Sequence, residues 1–126
     1  MGSSAEDIAS AVMAKWAAGF SKVDAEVLSS LYSKHALFFG SNPNLYRGRD
    51  GVASYFRGLP RWASSSVKFS DVVAEQVNAD LVSVAATANF AFDGGALSVK
   101  ITWVIAREDF DWKIVSHHVS SKAPLI

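Results

Sequence analysis

The residues best suited to chemistry are two adjacent histidines, His117 and His118, near the end of the 126-residue sequence. They lie in a largely apolar segment, residues 112–121, whose composition predicts a β-strand. Neighbouring side chains of a strand point to opposite faces, so the two imidazoles cannot easily bind one metal ion together. The pattern therefore predicts one imidazole that faces the interior, and it predicts no metal site.

Other residues offer less for chemistry. The third histidine, His35, is expected at a helix-to-strand junction, where it would interact with the helix C-terminus rather than with a ligand. Arg47 and Arg49 flank Gly48 and could bind an anion at the start of a helix, although loop arginines are more often solvated. The sequence has no cysteine and no glycine-rich phosphate loop, which excludes disulfides, thiolate metal sites and nucleotide fingerprints. No cofactor is expected.

Proton abstraction next to a carbonyl group would require a carboxylate base in an apolar cavity. Asp71 and Glu75 are the candidates, because they share strand parity with Phe69 and Val73. As residues of an edge strand they could equally face solvent. The sequence therefore places no acid clearly in the interior.

The composition describes one domain with a surplus of apolar residues. Half of the residues are hydrophobic, including four Trp, three Tyr and eight Phe, which indicates a subunit interface, an apolar pocket, or both. Twelve basic residues balance twelve acidic ones, so neither nucleic acid nor a membrane surface is an expected partner. No segment approaches the roughly 20 apolar residues of a membrane helix, and the N-terminus lacks the features of a secretion signal. A cytoplasmic location is expected.

Three helices are predicted in the first half of the chain. Apolar side chains recur every four positions over residues 5–20 and form one helical stripe that ends with Trp16 and Phe20. Asp24 can cap a short second helix. A third helix is expected after Gly48, ended by Gly58 and the proline that follows shortly after it.

Beyond Trp62 the apolar period changes from helical to alternating. Asp93-Gly94-Gly95 predicts a tight hairpin, because glycine supplies the positive φ angles that such turns require. The expected strands are one short segment and four long ones, at residues 36–39, 67–76, 81–92, 97–107 and 112–121. Helices followed by a meander predict an α+β domain over residues 1–126, with three helices packed on one face of a curved, mainly antiparallel sheet.

Two local motifs carry a resemblance to a known family. The sequences Phe-Phe-Gly-Ser at residues 38–41 and Tyr-Arg-Gly-Arg-Asp-Gly-Val at residues 46–52, with Tyr55-Phe56, resemble the strand, loop and third helix of the nuclear transport factor two-like superfamily. This cone-shaped, cystatin-like fold includes ketosteroid isomerase and SnoaL-like cyclases. Residues 112–120 are similar to the last strand of the calcium/calmodulin-dependent protein kinase association domain.

The resemblance implies a pocket between the third helix and the concave face of the sheet, closed at one end by the first helix. It also implies a parity for the last strand, in which Ile114, Ser116 and His118 face outward and the alternate residues Val115, His117 and Val119 face inward. The pocket is then aromatic with few polar groups, and it is lined by Trp16, Phe20, Phe38, Tyr55, Phe56, Trp62, Ile101, Trp103, His117 and Val119.

The resemblance further implies a homodimer that forms through the convex face of the sheet. Residues 85–88 are small in a strand that is predicted to be covered on both faces, and they support this assembly independently. The outward face of such a strand would normally be polar in a monomer.

Three functions are left open. The first is a binding domain whose pocket holds a compact apolar or weakly anionic organic molecule, with His117, Tyr55 and Arg47 as candidates to fix its polar end. The second is an enzyme of the ketosteroid isomerase, dehydratase or polyketide cyclase type that uses His117 as acid or base. The third is an oligomerisation domain, although Trp103 and Val119 stand where the association domain has two arginines. A pocket with few charged groups favours binding.

Overall fold

The computed structural model describes residues 4–126, which form three helices and a curved six-stranded sheet, with two of the six strands between the second and third helices. This order confirms the predicted α+β class with three N-terminal helices. The elements are α1 (Ala5–Phe20), α2 (Ala25–Ser30), β1 (Tyr32–Phe39), β2 (Leu45–Arg47), α3 (Gly48–Arg57), β3 (Ser65–Asn78), β4 (Leu81–Phe92), β5 (Gly95–Glu108) and β6 (Asp111–Ser121).

The first two helices begin at side-chain caps. Ser4 and Asp7 form a capping box, in which the Asp7 amide donates to the Ser4 hydroxyl at 3.1 Å and the Ser4 amide donates to the Asp7 carboxylate at 3.4 Å. The Val27 amide donates to the Asp24 carboxylate at 3.2 Å, as expected for an N-cap. Within residues 4–126 no helix has the length and apolarity needed to cross a membrane.

The strands lie in the order β2-β1-β6-β5-β4-β3, and every neighbouring pair is antiparallel except β1 with β6. The parallel pair brings the strand that follows α2 next to the last strand, with Phe38 opposite His117. One face of the sheet is covered by α1, which packs on β3, and by α3, which packs on β1. The buried residues of the core lie between these helices and that face.

The first strand is longer than predicted and pairs with a strand that the sequence did not reveal. β1 begins at Tyr32 rather than at Ala36, so His35 is an exposed strand residue and not a residue of a helix-to-strand junction. β2 is only three residues long and carries no buried side chain, so it has no apolar alternation of its own. It is extended because it pairs with β1 across the loop at residues 40–44.

A β-bulge in β3 changes which residues face the core. Ser70 pairs with Thr87 and Val73 pairs with Ala85, so two residues of β3 oppose one residue of β4. Asp71 lies in this bulge with a positive φ of 51° and is exposed. The bulge reverses the alternation, and Glu75 lies on the outer face. The predicted parity of Glu75 with Phe69 is therefore wrong, and Asp71 is exposed at the bulge.

A second bulge lies in β6. Val104 pairs with Ser116 and Ile105 pairs with Ile114, which leaves Val115 as the extra residue. Ile114 is fully buried, so the outward assignment predicted for it is wrong, and Val115 is half-buried. Beyond the bulge the parity is as predicted, because His117 is buried and His118 is exposed.

The small residues of β4 are covered on one face within a single chain. Val82 and Val84 are buried on the inner face, whereas Ser83 and Ala85 are exposed on the outer face. Thr87 is an exception on the outer face, since Lys122 covers it and donates to its hydroxyl at 3.2 Å. Within residues 4–126 the predicted coverage of β4 on both faces is therefore not present.

Candidate functional site

A cavity of about 470 Å³ lies between α1, α3 and the inner face of the sheet. Volumes of this size are typical of sites for small organic molecules. All ten residues predicted for the pocket line it, namely Trp16, Phe20, Phe38, Tyr55, Phe56, Trp62, Ile101, Trp103, His117 and Val119. That these residues bind a ligand stays a prediction.

Aromatic rings form most of the cavity wall. Trp16 of α1 stacks on Phe20 with ring centroids 5.3 Å apart, and Trp62 stacks on Phe92 at 4.3 Å. Phe69 and Phe90 join this wall from β3 and β4, and both meet Trp16 edge to face. The predicted lining omits Phe69, Phe90 and Phe92. Phe90 and Phe92 are two positions apart in β4, as residues on one face must be.

The polar end of the cavity is a chain of three hydrogen-bonded side chains from α1, β1 and β6. The Trp16 indole N–H donates to the Tyr32 hydroxyl at 3.0 Å, and that hydroxyl lies 2.8 Å from Nδ1 of His117. Phe38 stacks on the His117 ring with centroids 4.5 Å apart, which holds the imidazole plane. Tyr32 itself is fully buried and does not line the cavity.

The hydrogen bonds that join Trp16, Tyr32 and His117 select one tautomer of His117. If Tyr32 donates its hydroxyl proton to Nδ1, the hydroxyl is satisfied, because it also accepts from Trp16, and the imidazole proton resides on Nε2. In the other tautomer Nδ1–H would donate to Tyr32, whose own proton would then have no acceptor among the described residues. The first arrangement leaves fewer buried groups unpaired and is therefore preferred.

His117 and Tyr32, the two titratable groups of this hydrogen-bonded series, are neutral near pH 7. Burial, with a smaller contribution from the neighbouring His118, lowers the pKa of His117 to about 3. Burial also raises the pKa of the Tyr32 hydroxyl well above its usual range. The site thus presents a neutral imidazole whose lone pair is occupied by Tyr32 and whose proton lies on Nε2.

The comparison with protein families shows which family the chain belongs to. Residues 9–124 match the family described as the SnoaL-like domain. The chain belongs to the SnoaL-like domain family. The match covers nearly all of the sequence and, with the structures below, confirms the predicted membership of the nuclear transport factor two-like superfamily. No curated protein matches this SnoaL-like domain.

Several solved structures share the fold of this SnoaL-like domain. A provisionally assigned calcium/calmodulin dependent protein kinase II association domain from Xanthomonas campestris is 16% identical, with a TM-score of 0.84 over 94% of this chain and 87% of that one. A hexachlorocyclohexane dehydrochlorinase is 15% identical, with a TM-score of 0.81 over 94% and 85%. A protein of unknown function with a cystatin-like fold from Nostoc punctiforme is 14% identical, with a TM-score of 0.78 over 100% of both chains. At these identities the likeness shows the fold alone.

The second polar group predicted for the pocket is Tyr55, and in this SnoaL-like domain its hydroxyl is engaged with Ser41. The hydroxyl accepts from the Ser41 amide at 2.9 Å and donates to the Ser41 side chain at 2.7 Å. Gly40 makes this possible, because a Cβ at that position would lie within 2.7 Å of the Tyr55 ring and hydroxyl. Tyr55 therefore closes the β1–β2 loop over the cavity.

The charged candidates of the sequence lie outside the cavity of this SnoaL-like domain. Arg47 is exposed, and Arg49 donates from Nε to the backbone carbonyl of Tyr32 at 2.9 Å. Asp71 and Glu75 do not line the cavity either. Among the described residues no Asp, Glu, Lys or Arg forms part of the lining, and no group of three potential metal ligands exists.

Sequence reasoning missed Tyr32, the residue that orients the imidazole of this SnoaL-like domain. The predicted first strand began four residues later, so Tyr32 was assigned to no element with a buried face. The contact joins residues that are 85 positions apart and depends on the parallel pairing of β1 with β6. The only signal is the residue type. Tyr32 follows the apolar Leu31, and the hydroxyl of a buried tyrosine usually has a hydrogen-bond partner.

Proposed function

We propose that this SnoaL-like domain binds a compact, uncharged and mainly apolar organic molecule in the cavity of about 470 Å³. The observation that supports the proposal most directly is the composition of the lining, which is rich in aromatic rings and lacks a charged side chain among the described residues. Such a wall stabilises an apolar ligand by removing its surface from water.

The same lining favours a neutral ligand over the weakly anionic one that the sequence also allowed. A carboxylate that entered this cavity would lose its hydration, and no Lys or Arg of the lining would compensate for the loss. The hexachlorocyclohexane dehydrochlorinase of the same fold acts, by its name, on a compact neutral molecule. A neutral ligand is therefore the better match to the site.

An isomerase, dehydratase or cyclase that uses His117 as acid or base has less support. Its neutral imidazole engages Tyr32 through Nδ1 and carries its proton on Nε2, so no free lone pair faces the cavity to accept a proton. No carboxylate among the lining residues could act in its place. The geometry is better suited to holding a molecule than to moving its protons.

Isothermal titration calorimetry with tetralin and with tetralin-carboxylate tests the proposal. We expect tetralin to bind with a Kd on the order of 10 to 100 μM and the carboxylate to bind at least about tenfold more weakly. Tetralin should also change the fluorescence of Trp16, Trp62 and Trp103, which line the cavity. Absence of tetralin binding, or preference for the charged analogue, would contradict the proposal.

We also propose that the domain forms a homodimer through the outer face of the sheet. One row of paired residues crosses this face and contains no Asp, Glu, Lys or Arg, running through Val73, Ala85, Thr102, His118 and Phe39. Val73 is 57% exposed and Phe39 is 39% exposed, although both are large and apolar. A second copy would cover them together with the small residues of β4.

Gel filtration with light scattering tests the assembly. Phe39→Glu should convert a dimer into a monomer, because it places a charge within the proposed contact. Phe110→Glu is the matched control, since Phe110 is 99% exposed in the turn between β5 and β6 and should not affect assembly. A monomeric wild-type protein, or dissociation by the Phe110 variant alone, would refute the dimer.

A further inference from the structure

Two hydrogen-bond donors without a partner in the described part of the chain are buried in the side chains of the cavity wall. Nε2 of His117 and Nε1 of Trp103 are buried and have no hydrogen-bond partner within residues 4–126. Buried polar atoms are nearly always paired, so two unpaired nitrogens in one wall require an explanation. The indole nitrogen can only donate, and the tautomer that Tyr32 imposes makes Nε2 of His117 a donor as well.

The two donors belong to neighbouring side chains. Trp103 of β5 is directly paired with His117 of β6, and their rings meet edge to face with centroids 5.5 Å apart. The two nitrogens of an imidazole ring point in divergent directions, and Nδ1 points to Tyr32, which does not line the cavity. Nε2 is therefore on the part of the ring that points away from Tyr32, and both ring systems form part of the cavity wall.

We propose that the ligand carries a carbonyl oxygen that accepts hydrogen bonds from Nε2–H of His117 and from the indole N–H of Trp103. This inference depends on the proposed function, because it names the chemical class of the molecule that the cavity holds. The ligand is then a compact cyclic or aromatic ketone, quinone or similar neutral carbonyl compound, with its oxygen at the His117 end and its hydrocarbon part against the aromatic wall.

A carbonyl matches the two donors better than other oxygen groups do. Its oxygen has two lone pairs and brings no proton that would need an acceptor of its own. A hydroxyl brings such a proton to a place where His117 and Trp103 only donate. A carboxylate accepts well, but its charge would be buried without a cation in the lining.

The two nitrogens are buried, so an incoming oxygen reaches them only after side chains around them rotate. Rotations of this kind are common when a ligand binds. Because the donors have no partner in the protein, the oxygen displaces no existing hydrogen bond of these two nitrogens.

Calorimetry with a matched pair of ligands tests the inference. α-Tetralone differs from tetralin by one carbonyl group, and we expect it to bind about tenfold more tightly or better, because it satisfies donors that tetralin leaves unpaired. If neither compound binds, the proposed binding function itself fails. If both bind equally well, the cavity binds apolar molecules and the carbonyl assignment is wrong.

Two variants locate the effect. His117→Phe should reduce the preference for α-tetralone to less than about threefold while tetralin still binds, because it removes the proposed donor and keeps an aromatic ring in the wall; it also removes the acceptor of the Tyr32 hydroxyl, at a cost in stability that is the same for both ligands. His118→Phe is the matched control on the opposite face of β6 and should keep the full preference. Retention of the preference in the His117 variant would overturn the inference.

A direct measurement on the wild-type protein keeps the test independent of folding in the variants. Nitrogen NMR distinguishes a protonated from an unprotonated imidazole nitrogen, and we expect His117 to carry its proton on Nε2. α-Tetralone should shift the Nε2 and Trp103 indole resonances, whereas tetralin should shift them much less. A proton on Nδ1, or identical shifts with both compounds, would contradict the proposed donor role.

Discussion

Acidification from pH 7 to pH 3 is expected to remove about 4 kcal/mol from the free energy of unfolding through His117 alone. Burial holds the pKa of this imidazole at about 3 in the folded protein. In the unfolded chain it has the ordinary histidine pKa of about 6.5. Below that pH the unfolded state binds a proton that the folded state does not bind. The free energy of unfolding therefore decreases by about 1.4 kcal/mol per pH unit until the folded pKa is reached.

Denaturant unfolding at a series of pH values measures this effect. Carboxylates also titrate in this range, so the difference between the wild type and His117→Phe isolates the histidine contribution. We expect the variant to lose less stability on acidification, whatever constant cost the substitution has at neutral pH. His35→Gln is the control, because His35 is exposed on β1 and lies outside the cavity, and it should follow the wild-type pH dependence. Equal acid sensitivity of the wild type and the His117 variant would show that the imidazole is not buried in solution.

Val119→Trp is expected to reduce the affinity for tetralin at least about 100-fold while the domain stays folded. Val119 is a half-buried residue that lines the cavity, two positions after His117 in β6. A larger side chain there occupies the space that the ligand would fill. Because it enters a cavity rather than a close-packed core, we expect a stability change within the range of about 1–3 kcal/mol that overpacking causes, or smaller.

The matched control for this experiment is Val77→Trp, which makes the same chemical change on β3, where Val77 is 58% exposed and outside the cavity. Calorimetry should show unchanged tetralin binding for this variant, and thermal unfolding should report the stability of both. Unreduced binding in Val119→Trp would place the ligand elsewhere on the protein.

Much of the fold was predictable from the sequence because periodicity depends on local geometry. The four-residue spacing that ends with Trp16 and Phe20 defines the buried face of α1, and both residues line the cavity. Strict alternation also applies from Ile101 to Trp103 in β5, where no bulge intervenes. Where the backbone is regular, the residue type and its spacing determine the direction of the side chain.

The errors arose where tertiary structure overrides local geometry. Each bulge inserts one residue and reverses the faces that follow or precede it, which moved Glu75 to the outer face and Ile114 into the core. The short apolar segments around these positions contain no sequence feature that indicates an extra residue. The hydrogen bond between Tyr32 and His117 was unpredictable for a related reason, because it depends on which strands become neighbours.

The Trp16–Tyr32–His117 chain has a consequence for biosynthesis. It ties the first helix and the first strand to the last strand, and its longest link spans 85 positions. On the ribosome, α1 and β1 emerge long before β6 is translated, and until then the Tyr32 hydroxyl lacks its imidazole partner. Contacts between such distant residues slow folding. The nascent chain therefore exposes its aromatic wall for most of its synthesis, and it is in this interval that it depends most on protection from aggregation.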